Sequence, residues 1–149
     1  MEDTTIGIGM FLAMAVGFII GLGIAVLYLL TLQKCLNRVS PPNRAMNPAL
    51  VWLYLIPLFN LVWAFFIVLN IAKSLTAEAR TRGIDLGDGG KTIGLVYAIA
   101  GACCLVPLVN IVAGWVSVVC WIIYWVKIAG YSNRLAAAPA PAAPPLPSA

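Results

Sequence analysis

Three long runs without a charged residue dominate this chain and limit what it can fold into. They cover residues 6–32, 48–72 and 92–126. One membrane crossing needs roughly 20 apolar residues, so the first two runs suit one crossing each and the third suits two. Of the 149 residues, 62% are hydrophobic and only 9% are charged, which is too apolar for a small soluble domain. The sequence therefore predicts an all-α integral membrane protein with about four transmembrane helices.

A short motif occurs twice inside these runs. Pro-Leu-Phe-Asn at 57–60 returns as Pro-Leu-Val-Asn at 107–110, and a tryptophan and then a lysine follow each copy. Proline removes a backbone donor and asparagine adds a polar amide, and lipid tolerates neither unless protein or water satisfies it. The motif predicts an internal helical repeat. It also predicts that the helices are broken at both copies, at Pro57, Asn60, Pro107 and Asn110.

The first copy leaves two topologies open. If helix two runs from Pro48 through Pro57 and crosses, the basic 73–91 loop lies on the side opposite Arg38 and Arg44. That arrangement conflicts with the tendency of basic loops to stay inside. A re-entrant turn at 57–60 would bring every basic loop to one side, although residues 48–56 span only about 13 Å as a helix. The four-crossing arrangement is our sequence prediction, and the re-entrant turn is its alternative.

The first run carries a small residue at every fourth position. On a helix this spacing gives one slowly drifting stripe that a neighbouring backbone can approach closely. Two interpretations stay open, packing inside this chain and docking on another subunit. Because the run follows an acidic start and is long, we expect a retained helix rather than a signal peptide. The members of this small-residue stripe are Gly9, Ala13, Gly17, Gly21 and Ala25.

The residue inventory excludes several kinds of chemistry. There is no histidine, which excludes histidine-ligated haem or chlorophyll and Ser-His-Asp catalysis within the chain. We interpret Glu78, Asp85 and Asp88 as solvated loop charges, and the four cysteines as small packing residues. No catalytic, metal-binding or cofactor-binding residue is predicted. A lipid, quinone or pigment bound among the aromatic side chains of helices two and four stays open as an alternative.

Three asparagines are the polar groups expected at membrane depth, namely Asn60, Asn70 and Asn110. In the structural interpretation they satisfy backbone groups that the prolines free, or they bond across helices. In the functional interpretation they line a pathway. The net charge of +4 lies mostly beside the helices, which indicates topology and lipid headgroup contacts rather than nucleic-acid binding.

Two segments carry a resemblance, IPLFNLVW at 56–63 and CWIIYWVKIAGY at 120–131. The stretch 52–131, just over half of the chain, resembles small uncharacterised multi-pass membrane proteins of bacteria. The resemblance implies a multi-pass protein of the bacterial inner membrane and transfers no functional residue. We expect one transmembrane domain at 1–135, followed by an Ala/Pro-rich tail at 136–149.

These features favour a non-enzymatic accessory, scaffold or assembly subunit of an inner-membrane complex for energy transduction or secretion. Its small-residue stripe would pack against other membrane subunits or a second copy. The alternative is a small oligomeric channel or carrier whose pathway is lined by Asn60, Asn70 and Asn110.

Overall fold

The computed structural model describes residues 2–56 and 58–139, with the backbone alone for residues 2–5. Within these residues the chain is helical and has no strand, which confirms the all-α prediction. Pro57 and residues 140–149 of the predicted tail lie outside the described residues. The α-helices are α1 (Glu2–Asn37), α2 (Phe59–Arg82), α3 (Lys91–Cys103) and α4 (Asn110–Ala137). Two 3-10 helices, Pro41–Asn43 and Pro48–Leu55, lie between α1 and α2.

Three of these helices, α1, α2 and α4, are long and apolar enough to cross a membrane. Helix α3 has 13 residues and is therefore about 20 Å long. The hydrocarbon core of a bilayer is about 30 Å thick, so α3 is too short to cross it. The described residues thus contain three candidate spans, where about four were predicted.

Residues 40–55 fold back along α2 and form a first hairpin with it. Trp63 Nε1 donates to the carbonyl oxygen of Leu50 at 2.9 Å. The amide of Ala45, five residues before Leu50, donates to Ser74 Oγ, which lies further along α2 than Trp63, at 2.9 Å. Residue numbers fall on one side while they rise on the other, so the two segments run antiparallel, and the chain reverses between Leu55 and Phe59.

The prediction of one helix from Pro48 through Pro57 is therefore wrong. Pro48–Leu55 is a separate 3-10 helix, which begins where the side chain of Asn47 accepts from the amide of Ala49. Ile56 then adopts an extended backbone, with ψ at 115°. A residue before proline is pushed out of the helical region by the proline ring, which explains why the helix ends here and α2 starts only at Phe59.

Helices α3 and α4 form a second antiparallel hairpin. Ser117 Oγ donates to the carbonyl oxygen of Tyr97 at 3.2 Å, and the chain reverses through the turn at 104–109. This turn contains Pro107, and Asn110 is the first residue of α4. Gly94 lets α3 approach its neighbours, because a Cβ there would lie 2.6 Å from Val68 Cγ1 and 2.8 Å from the Tyr124 ring.

The core lies where the C-terminal part of α1 meets both hairpins. Tyr28 is fully buried at its centre. Its ring makes edge contacts with Tyr54, Trp121 and Trp125, with centroid distances of 5.9, 5.2 and 5.8 Å. These contacts join α1 to the 3-10 helix Pro48–Leu55 and to α4, so one aromatic cluster connects both hairpins to α1.

Candidate functional site

The two hairpins and the end of α1 bring every basic residue of the chain to one end of the molecule, which we call the basic end. The loops 38–47 and 83–90 and the C-terminal halves of α2 and α4 meet there. The start of α2 and the turn at 104–109 lie at the opposite tips of the hairpins. The nine basic residues are Lys34, Arg38, Arg44, Lys73, Arg80, Arg82, Lys91, Lys127 and Arg134.

A buried carboxylate holds this end together. Glu78 is fully buried within α2, and it accepts from the amide and hydroxyl of Ser40 at 3.1 and 2.7 Å. Asn43 Nδ2 and Arg82 Nε donate to it at 2.8 and 2.7 Å, and Arg82 Nη2 lies 2.6 Å away. The interpretation of Glu78 as a solvated loop charge is therefore wrong. The i, i+4 spacing to Arg82 was the sequence signal that pointed to a partner.

Two arginines extend this network to α1 and α4. Arg82 donates to the carbonyl oxygens of Leu135 at 2.8 Å and Arg38 at 3.1 Å. Arg38 in turn donates to the carbonyl oxygen and the hydroxyl of Ser132 at 2.6 and 2.8 Å. The ends of α1, α2 and α4 are therefore joined by hydrogen bonds to charged groups, which are stronger than neutral ones.

The 83–90 loop is shaped by its own acidic side chains. Asp85 Oδ1 accepts from the amide of Gly87 at 2.7 Å. Asp88 accepts from the amides of Gly90 at 3.0 Å and Thr92 at 2.8 Å, at the start of α3. The hydrogen bonds from Thr92 are the main reason why the pKa of Asp88 lies below its ordinary value. Both carboxylates are thus fixed in position and exposed to solvent.

The three asparagines do not converge on one site. Asn70 Nδ2 donates to the carbonyl oxygen of Phe66 at 2.7 Å, so its amide is satisfied within its own helix. Asn60 and Asn110 lie at the starts of α2 and α4, beside the hairpin reversals. More than ten residues separate each of them from the first lysine of its own helix at the basic end. Asn110 lines a surface groove with Gly114 and Trp115, and neither of the other two asparagines reaches it.

Aromatic residues line one small cavity of about 180 Å³ that is open to the surface. Tyr54, Tyr97, Ser117 and Trp121 line it, and the hydroxyl oxygens of Tyr28 and Tyr97 lie 3.5 Å apart beside it. This cavity is the place in the described residues that corresponds to the lipid, quinone or pigment alternative. All four cysteines are free thiols.

The small-residue stripe lies on a part of α1 that stands apart from the bundle. None of residues 6–24 is buried, and a Cβ added at Gly9, Gly17 or Gly21 would meet nothing within 4 Å. Among the described residues, then, Gly9, Ala13, Gly17 and Gly21 are exposed, whereas Ala25 is partly buried. In the part of the chain that the structure describes, the stretch 6–24 of this helix contributes no buried residue.

Comparisons of this chain with protein-family models, with curated proteins and with solved structures found no match. The functional interpretation therefore depends on the residues of this chain and their geometry.

Proposed function

We propose that this chain is a non-catalytic accessory or scaffold subunit of a bacterial inner-membrane complex, and that α1 docks on a transmembrane helix of another subunit. The observation that supports this proposal is the exposed small-residue stripe. The unpartnered stretch 6–24 lies on a chain whose other helices are packed together at the basic end.

The physical argument concerns what a stripe of small residues contributes in lipid. A lone helix in a bilayer gains nothing from glycine, because lipid tails pack equally well against leucine. Glycine also lowers helix propensity by about 1 kcal/mol per residue relative to alanine. Small residues become favourable when a second helix approaches and backbone contacts replace side-chain contacts. The stripe is therefore better suited to a protein partner than to lipid.

The proposal includes a topology in which the basic end faces the cytoplasm. Basic loops stay on that side, and α1 then crosses the bilayer with its N-terminus outside. Each hairpin begins with a short helix. The 3-10 helix Pro48–Leu55 of the first hairpin is about 16 Å long, and α3 of the second is about 20 Å long. Both hairpins would therefore enter from the cytoplasmic side and return to it, as in the re-entrant alternative, and the 83–90 loop would be cytoplasmic.

Single cysteines in a cysteine-free background test this topology. A cysteine at Gly87 is expected to react with a membrane-impermeant maleimide in inverted vesicles and not in intact spheroplasts, like a cysteine at Asn37. Labelling of Gly87→Cys from the outside would support the four-crossing arrangement and contradict the re-entrant one.

The docking proposal is tested by native purification and mass spectrometry of matched variants. Gly17→Leu places a large side chain on the stripe, whereas Ile19→Leu changes the opposite side of α1 and is the control. We expect the wild type and Ile19→Leu to purify with a second membrane chain or a second copy, and Gly17→Leu to lose it. Purification of the wild type only as a free monomer would contradict the proposal.

The channel or carrier alternative has less support, because Asn70 bonds its own helix and the three asparagines do not share a cavity. A liposome flux assay decides between the two. Flux that is lost in Asn60→Leu or Asn110→Leu, with folding retained, would favour the channel.

A further inference from the structure

A recess of about 420 Å³ opens at the basic end between the 83–90 loop and the last turns of α4. It is separate from the Glu78 network, which lies where α2 meets residues 40–43. The side chains that give it chemical character are Asp85 and Asp88 from the loop, and Lys127, Tyr131 and Arg134 from α4.

The α4 wall presents two cations and one hydroxyl on a single helix face. Lys127, Tyr131 and Arg134 follow the i, i+4, i+7 spacing that aligns side chains along a helix. Both cations are exposed, and the one ion pair among the described residues is the Glu78–Arg82 pair, which uses neither of them. Gly130 also lines this wall, and a Cβ there would meet nothing within 4 Å, so this position borders open space.

The loop wall presents two carboxylates at fixed positions. The amides of Gly87, Gly90 and Thr92 donate hydrogen bonds to them, and the positive charge of Lys127 stabilises the ionised form of Asp88. The recess therefore carries two positive and two negative side chains. A simple anion such as free phosphate would be repelled by the carboxylates, whereas a ligand with both charges is complementary to the two walls.

The recess also lies where lipid headgroups are expected. Lys127 follows the last residue of the uncharged run 92–126, and a tyrosine and a lysine next to an apolar helix are typical of the membrane interface. We propose that this recess binds the phosphoethanolamine headgroup of a phospholipid. The phosphate lies between Lys127 and Arg134, and the ammonium group donates to Asp85 and Asp88. The proposal uses the membrane placement of the basic end given above, but not the docking of α1.

Native mass spectrometry in a neutral detergent tests this inference with short-chain phospholipids of one acyl length. We expect phosphatidylethanolamine to bind more tightly than phosphatidylcholine, whose quaternary ammonium has no N–H donor, and than phosphatidylglycerol, which has no cation. Removal of both cations by Lys127→Gln with Arg134→Gln should weaken phosphatidylethanolamine binding by about 30-fold. Asp85→Asn should reduce the preference for phosphatidylethanolamine over phosphatidylglycerol.

The control is Lys34→Gln with Arg80→Gln, which removes the same charge from exposed positions outside the recess. Circular dichroism of each variant checks that it is folded. Equal binding of the three lipids, or an equal loss in the control pair, would overturn the proposal. Glycerophosphoethanolamine that binds as tightly as the lipid would overturn the assignment to a lipid, because the ligand would then be a soluble phosphodiester. The oligomeric state measured with Gly17→Leu is read separately, so failure of the α1 docking proposal is distinguishable from failure of this one.

Discussion

Replacement of Glu78 by alanine should be among the most damaging single changes in this protein. The change removes the one carboxylate to which Ser40, Asn43 and Arg82 donate. The side chain of Arg82 is only 8% exposed, so its charge would stay buried without its counter-ion. The connection between residues 40–43 and α2 would lose its central acceptor at the same time.

The size of the effect follows from the partners that remain. Removal of one member of a buried ion pair costs about 3–5 kcal/mol, because the other charge is left uncompensated. Arg82 would keep its hydrogen bonds to the carbonyl oxygens of Leu135 and Arg38. We therefore expect a loss near the lower limit, about 3 kcal/mol in the free energy of unfolding.

The measurement is reversible unfolding in mixed micelles of a neutral detergent and sodium dodecyl sulfate, followed by tryptophan fluorescence. Asp85→Ala is the matched control, because this carboxylate is exposed and accepts from one amide of its own loop. We expect the control to lose less than about 1 kcal/mol. A loss below about 1 kcal/mol for Glu78→Ala, or equal losses in the two variants, would refute the assignment of Glu78 as the centre of the network.

Three further changes test other parts of the fold. Gly94→Ala should cost about 1–3 kcal/mol by overpacking against Val68 and Tyr124, whereas Gly114→Ala, which meets nothing within 4 Å, should cost nothing; similar unfolding curves for both would contradict the close approach of α3. Leu58 has a φ of 64° and is 80% exposed, so Leu58→Gly should stabilise the protein by about 1 kcal/mol in the same assay through relief of backbone strain, and a loss would argue against the strained turn. The lowered pKa of Asp88 means that its carboxylate stabilises the fold above the unfolded pKa of about 3.9 and that this contribution is lost as the pH falls through the folded pKa. In Asp88→Asn the unfolding free energy should therefore fall less between pH 5 and the acid limit than in the wild type, and parallel pH curves would disprove the role of Asp88 at the start of α3.

The sequence was sufficient for the features that depend on local composition. The uncharged runs predicted helices because apolar residues of that number are stable as helices in a bilayer. Pro107 indicated a place where a helix ends, and the structure has a turn there. Each of these signals is carried by neighbouring residues.

The features that depend on tertiary contacts were not predictable in the same way. Residues 48–55 are apolar and would suit an α-helix. Their place beside α2 depends on partners such as Trp63, which bonds Leu50 from 13 residues further along the chain. Glu78 resembles any charge that follows a membrane segment, and its burial depends on Ser40 and Asn43, which are brought to it by the first hairpin. The recess beside α4 likewise exists only because the 83–90 loop returns to Lys127 and Arg134.

The gathering of all basic residues at one end has a consequence for the biosynthesis of this protein. In the proposed topology the acidic residues Glu2 and Asp3 lie on the translocated side of α1, whereas the basic loops of both hairpins stay on the cytoplasmic side. Both hairpins can partition into the bilayer from the cytoplasmic side with their charged loops still in water, so no lysine or arginine is ever carried through hydrocarbon. Translocation is then required for α1 and not for either hairpin, and we expect insertion of α1 to precede the assembly of the bundle around Tyr28.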